Sequence, residues 1–334
     1  MKKINLAGLK NFSKKKYKLS SVNRYAYLFL LPFFLTFLIF QLYPMIYSVA
    51  LSFTDSHVDG LITYEGTFIK FANYIALWQN EFFWQSIRNT FIIFLMNFIP
   101  QIVSALFFAV VFTSVRYKIK GKALFRFIYF LPNIITAASV AVLFDNLFTA
   151  QTGPLWQIML DLGIINADTN FYVEVWPTRI IIAFIQFWMW FGNSMIVYIA
   201  GINGINREIF EAADLDGASP FQQFFYITFP ILKPIMLYSL ITSVIGGLSM
   251  FDIPMLFSGL GPGVGESGLP STQTITMYIY SLGFDDVYAD YGMASAASVY
   301  LFFISLFFSL ILNLWLNRED KPLKKVKKVN AHGK

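Results

Sequence analysis

At about 150 residues per domain, a chain of 334 residues suggests two soluble domains. Composition overrules that count: 57% of residues are hydrophobic and only 13% are charged, about half the ~25% of a soluble domain. No soluble fold of this size conceals 38 Phe, 18 Tyr and 7 Trp behind so few charges, so the composition is that of an integral membrane protein. The absence of Cys excludes a disulfide framework, an iron–sulfur cluster and a thiol nucleophile, and His57 and His332 alone leave little for a His-based metal site.

In chain order, a basic segment over 1–24 comes first. A span needs roughly 20 apolar residues, and the stretches between consecutive charges supply six: 25–54, 89–115, 127–144, 180–206, 234–251 and 291–317. A basic tail over 318–334 follows. The first apolar run is longer than the ~7–15 residues of a signal-peptide core and lacks a small-residue cleavage site, so it reads as a retained helix. None of the six alternates polar and apolar residues, which argues against a barrel. Pro32, Pro44, Pro100 and Pro132 sit in or near spans, where neighbouring helices can satisfy the carbonyls they free.

Orientation follows from Lys and Arg in the short flanks. Of 25 basic residues, 22 fall in the N-terminal segment, the second-to-third loop, the fourth-to-fifth loop and the tail, leaving Lys70, Arg88 and Arg179 opposite. The expectation is a multi-pass protein of the cytoplasmic membrane with both termini cytoplasmic. The basic termini serve topology and attract anionic membrane lipid, and no nucleic-acid partner is implied.

The six apolar segments contain no Lys, Arg, Asp, Glu or His, whereas an ion-coupled carrier or a redox protein would carry ionisable groups there. No GxxxxGK[ST] loop is present to cradle ATP phosphates, so the chain does not itself hydrolyse nucleotide. An intramembrane hydrolase would need a nucleophile–base pair or a metal cluster, and the spans offer neither. Uncharged polar residues do occur inside, among them Asn97, Gln101, Thr136, Ser194 and Ser298, and each reads first as an interhelical hydrogen bond. Trp188 and Trp190 suggest either core packing or a stacking surface for a sugar ring. Gly246 and Gly247 suggest close packing or a bend beside a substrate path.

The segment 201–233 after the fourth span differs from the other loops. From Arg207 it reads REIFEAADLDGASPFQQFFYITFPILKP. Glu208 and Glu211 suit the first turns of a short helix, and Asp214, Asp216 and Gly217 interrupt it. Ser219 can cap a second helix with Pro220 at its first position. Phe221, Phe224, Phe225 and Ile227 give that helix an apolar face suited to a groove on a partner.

Glu211-Ala212-Ala213, three residues, Gly217, nine residues and then Ile227-Thr228-Phe229-Pro230 resemble the EAA coupling loop of ABC importer permeases at every signature position. Phe251-Asp252, Gly261-Pro262, Tyr278-Ile279-Tyr280, Phe284 and Tyr291 to Ala296 resemble its carbohydrate-uptake branch, the maltose and glycerol-3-phosphate permease type. The stretch from Ser258 to Thr274 departs from the family, being longer and richer in Gly and Pro than its usual short turn.

The resemblance implies an all-α protein with six transmembrane helices, the type I importer permease fold over 25–317 and cytoplasmic coupling helices. It implies a non-catalytic bacterial subunit that binds no cofactor itself. Its partners would be a second homologous permease, two ATP-binding subunits that hold ATP and Mg, and an extracytoplasmic sugar-binding protein. Glu211, Ala212, Ala213, Asp216, Gly217, Phe221, Phe224 and Pro230 would couple to the ATPase. Trp190, Asn193, Ser243, Gly247 and Asp252 are the candidates along the substrate pathway. Uncharged spans favour a neutral di- or oligosaccharide. Glycerol phosphate or acidic oligosaccharides, the alternative within the family, would want Lys or Arg in the pathway. A stand-alone channel or secondary carrier would show intramembrane charge or an inverted repeat.

Overall fold

The computed structural model describes residues 22–60, 62–114, 119–264, 268–284 and 288–316. The expectations placed on the basic segment before Val22, on Arg116 and Lys118 and on the tail from 317 onward lie outside the described residues. The chain forms two units, one ending at Ala50 and the other beginning at Leu51.

The first unit is one apolar helical run: α1 (Val22–Phe37), a π-helical turn over Leu38–Leu42, and α2 (Tyr43–Leu51), whose last residue opens the second unit. Pro44 cannot donate to the carbonyl four residues back, and its ring crowds that carbonyl. The helix responds by widening, with the Tyr43 N–H donating to Leu38 O, five residues back.

The second unit opens with β1 (His57–Asp59) and β2 (Ile62–Tyr64), an antiparallel pair. α3 (Ala72–Gln79) leads into α4 (Glu81–Thr113), whose N-cap Asn80 accepts from the N–H groups of Phe82 and Phe83 at 2.9 and 3.2 Å. α5 (Lys122–Ile134), α6 (Ala137–Phe148) and the short α7 (Pro154–Asp161) follow, then the long α8 (Val175–Asn203). α9 (Arg207–Leu215) and α10 (Pro220–Gln223) come next; a second π-helical turn, Phe224–Thr228, joins α10 to α11 (Phe229–Leu248). After α12 (Asp252–Ser258), β3 (Gly263–Val264) pairs antiparallel with β4 (Leu269–Pro270). α13 (Ile275–Gly283), β5 (Tyr288–Asp290) and α14 (Tyr291–Leu316) complete the described chain, and β5 pairs antiparallel with β1.

Among the described residues, five helical runs are long and apolar enough to cross a membrane, and a sixth if the α5–α6 pair counts as one. That pair corrects the expectation of a single helix over 127–144: it bends by 98° between Ile134 and Ala137. Ile135 is extended, and the Thr136 hydroxyl accepts from the Ser139 N–H at 3.3 Å as the cap of α6. Thr136 is a helix cap rather than an interhelical partner. A second correction concerns charge. α4 and α8 begin before the apolar stretches do and so carry Arg88 and Arg179 within them. A third concerns the fifth span, which starts well before Pro234 because α10 runs through the π turn into α11. Pro230 follows that turn as Pro44 follows the first, and Phe229 N–H donates to Phe224 O, again five residues back.

Two apolar clusters position the site. In one, Ala105 and Ala109 of α4 are fully buried against Met195, Tyr198 and Ile199 of α8, with Leu232 and Met236 of α11 behind them. Small residues on α4 let the backbones approach, and the Gln101 amide donates to Ser194 Oγ at 2.9 Å across the seam. In the other, Ile93 and Phe94 of α4 meet Val140 and Phe144 of α6, Ile182 and Ile185 of α8 and Val244 of α11.

Candidate functional site

A cavity of about 500 Å³ lies between α4, α8, α11 and the break that separates α11 from α12. α8 contributes Gln186, Trp190, Asn193 and Val197, spaced along one helical face. α11 contributes Tyr238, Thr242, Ser243 and Gly246, while Asn97 and Gln101 come from α4. Ala137 at the start of α6 and residues Ser249 to Ile253 also line it. All five pathway candidates, Trp190, Asn193, Ser243, Gly247 and Asp252, line this one cavity.

The two tryptophans separate by two residues of helix rotation. Trp190 is 47% exposed on the cavity side, whereas Trp188 packs edge-on against Phe144, with centroids 5.5 Å apart. The two glycines separate as well. A Cβ on Gly246 would meet open space, but one on Gly247 would overlap the Phe94 ring, so Gly247 is the point of close approach of α11 to α4. Gly247 therefore shapes the cavity wall through packing. Among the described lining residues Asp252 is the one ionisable acid, and no Lys, Arg or His accompanies it. An aromatic face, amides, hydroxyls and one carboxylate suit a ligand that combines apolar CH faces with hydroxyl groups.

The second candidate region is the α9–α10 turn. α9 starts at Asn206, whose side chain accepts from Glu208 N–H at 3.1 Å. It ends in a Schellman arrangement: Ala218 N–H donates to Ala213 O at 2.9 Å and Gly217 N–H to Asp214 O at 3.1 Å, with Gly217 at φ +77°. The positive φ is what demands glycine, since a Cβ there would meet nothing within 4 Å. Ala213 is the buried residue of α9, and Glu211, Ala212 and Asp216 are exposed. Ser219 and Gln222 form a reciprocal capping box, with Pro220 at the first helical position.

Asp214, not singled out beforehand as a coupling residue, braces this turn by accepting from Gln223 Nε2 at 2.8 Å. Leu215 is 90%, Phe221 72% and Tyr226 80% exposed, an unusual apolar cluster around a turn. Phe221, Phe225, Phe229 and Pro230 line a groove of about 580 Å³ beside it, and the Phe224 ring packs on Phe225 at 5.0 Å.

No family model matches the chain. The chain is 33% identical over 272 residues to the lactose transport system permease protein LacF of Rhizobium radiobacter, covering 79% of this chain and 86% of the relative. It belongs to the permease subunits of carbohydrate ABC importers. It is also 31% identical over 316 residues to the probable ABC transporter permease protein YesP of Bacillus subtilis, with coverage of 92% and 96%. Among solved structures it resembles a bacterial ABC transporter involved in import of the acidic polysaccharide alginate: TM-score 0.72, 25% identity, 90% of this chain and 97% of that one. That transporter is also known in complex with an alginate pentasaccharide-bound periplasmic protein. As a permease subunit the chain is non-catalytic, and ATP hydrolysis belongs to separate subunits.

Sequence reasoning missed two parts of this permease. Gln186, Tyr238 and Thr242 join the cavity because they share a helical face with Trp190 or Ser243, a periodicity legible once one anchor was chosen. The extended stretch after Ser258 gave no such signal. It folds inward onto Arg179 and Asn89, and contacts more than 90 residues apart in sequence leave no local pattern.

Proposed function

We propose that this permease forms half of the translocation pathway for a neutral di- or oligosaccharide and relays to it the motion of separate ATP-binding subunits. The observation that carries the reading is the cavity between α4, α8 and α11, lined by Trp190, Asn193 and Ser243, with Asp252 the single ionisable acid among its described lining residues. An acidic cargo such as the one named for the alginate importer would need cations here, and this half supplies a carboxylate instead. The cargo is released into the cavity by an extracytoplasmic binding protein and shared with a second, homologous permease.

The α9–α10 turn is the coupling element. Its exposed Leu215, Phe221 and Tyr226 offer an apolar surface for an ATP-binding subunit, and Glu211 and Asp216 flank it. The basic segment 1–24 and the tail 318–334 are cytoplasmic, on either side of a membrane domain over 25–317. The continuity of α10 with α11 gives displacement of the turn a rigid route to Tyr238, Thr242 and Ser243 in the cavity wall.

The test is uptake by the complete importer in reconstituted vesicles. Neutral oligosaccharides should be transported and should compete with one another, whereas acidic or phosphorylated sugars should neither move nor compete. Trp190→Ala should lower transport at least tenfold with normal assembly. Uptake confined to anionic sugars would overturn the assignment of Asp252 to the pathway.

A further inference from the structure

Ser271, Thr272, Gln273 and Thr274 are buried, none more than 6% exposed, yet they lie in neither helix nor strand. Irregular backbone in a membrane protein must have its polar groups met from within the protein. The N–H groups of Ser271 and Thr272 donate to Pro262 O and Leu260 O at 3.0 and 3.2 Å, and side chains of neighbouring helices meet the carbonyls. Arg179 on α8 donates Nε to Ser271 O at 2.9 Å and Nη2 to Asn89 Oδ1 at 2.7 Å. Asn89 on α4 donates its amide to Pro270 O at 2.7 Å and to Gln273 O at 3.1 Å. Thr90 Oγ1, one residue on, accepts from Ile275 N–H at 2.8 Å. The strap is tied in turn to the cavity, because Thr274 Oγ1 donates to Met250 O at 2.8 Å and Met250 lies in the cavity wall.

Arg179 is only 4% exposed, and its partners among the described residues are carbonyl and amide oxygens and the Trp176 ring at 5.3 Å, with no carboxylate among them. A buried anchor that is never released gains from a counter-charge. Hydrogen bonds to neutral carbonyls can be exchanged for water without stranding one, so this contact suits an element that opens as well as closes. We propose that residues 270–275 are the outer seal of the translocation cavity and that Arg179 is the positioning residue that latches the seal. The proposal rests on the reading of the cavity as the pathway and on the orientation given above. While Arg179 and Asn89 hold the strap's carbonyls, the wall from Met250 to Ile253 stays in place; when they release them, the strap and that wall move as one piece. The guanidinium fork donates to Ser271 and Asn89 from two separate, fixed nitrogens, a geometry that the single nitrogen of an ammonium group does not reproduce.

The chain's lack of Cys makes one introduced thiol a clean reporter. The assembled importer carrying Ser243→Cys is placed in right-side-out vesicles and treated from outside with a membrane-impermeant maleimide, and labelling of this chain is followed on a gel. At rest the reporter should label slowly. Arg179→Gln should raise the rate at least tenfold, Arg179→Lys by less, and Thr90→Val, which removes one acceptor and no charge, severalfold. Co-purification with the ATP-binding subunits checks assembly, and Thr90→Val decides the matter if Arg179→Gln does not assemble. An unchanged rate in assembled Arg179→Gln, or in Thr90→Val where that variant decides, overturns the latch. In a separate arm, the reporter with Arg179 intact receives binding protein, ATP and vanadate and should become labelled. Absence of labelling there overturns the pathway reading itself, whereas labelling there with no effect of Arg179→Gln overturns the latch alone.

Discussion

Gly217 concentrates the coupling argument in one residue. Its φ of +77° closes α9 so that Ala213 and Asp214 have their carbonyls satisfied, and Ser219 then starts α10 in a fixed direction. The spacing of the EAA motif to its glycine thus has a physical basis: the second alanine supplies the carbonyl that the residue after the glycine caps. A β-branched residue at Gly217 costs on the order of 1–2 kcal/mol in backbone strain, and 1.4 kcal/mol is about tenfold in an association constant. Gly217→Val should therefore leave membrane abundance normal, weaken co-purification with the ATP-binding subunit and abolish sugar-stimulated ATP hydrolysis. Glu211→Ala, which removes charge but keeps the turn, should act more mildly in the same pull-down. Assembly and transport of Gly217→Val at parental levels would remove the turn from the coupling role.

At the scale of elements, the two π turns share a cause. Each ends two residues before a proline, Leu42 before Pro44 and Thr228 before Pro230, and each shifts the backbone ladder from four residues to five. The second lies between the coupling helix and the cavity helix. Inserting one alanine after Ile231, in the regular α-helical winding just beyond the π turn, should rotate α10 by about 100° relative to the cavity-lining part of α11, since an α-helix turns that much per residue. The exposed face of Phe221 would then miss its partner. Basal ATP hydrolysis by the assembled importer should persist while its stimulation by sugar is lost; retention of full stimulation would show that the turn's register does not matter. The α5–α6 break illustrates the opposite outcome. There Pro132 is followed by an extended Ile135 and a capped restart at Thr136, and the helix direction changes by 98°.

For the whole molecule, topology is the prediction that the charge distribution carries. With 22 of 25 basic residues in one set of loops and the termini, reporter fusions after 316 should be active as cytoplasmic reporters, and fusions within 162–170 should be active only outside. The reverse pattern would invert the membrane orientation and place the α9–α10 turn away from ATP. On this orientation Arg88 and Arg179 lie near the outer ends of α4 and α8.

The sequence by itself determined the membrane class, the number of apolar segments and the family, because apolar length and a motif spanning about twenty residues are local properties that need no folding to be read. It also marked Trp190, Asn193, Ser243, Gly247 and Asp252, though not that they meet. Only the tertiary structure brought those five to one cavity, divided Trp188 from Trp190, and assigned Gly247 to the Phe94 ring. Which face of a helix is filled depends on its neighbours, and that information is held in contacts between distant segments. The same reason explains Arg179. Along the chain it looks like a flanking charge that marks the edge of a span. Its partners Asn89 and Ser271 lie about 90 residues away on either side, and they make it the anchor of a strap that no local pattern announces.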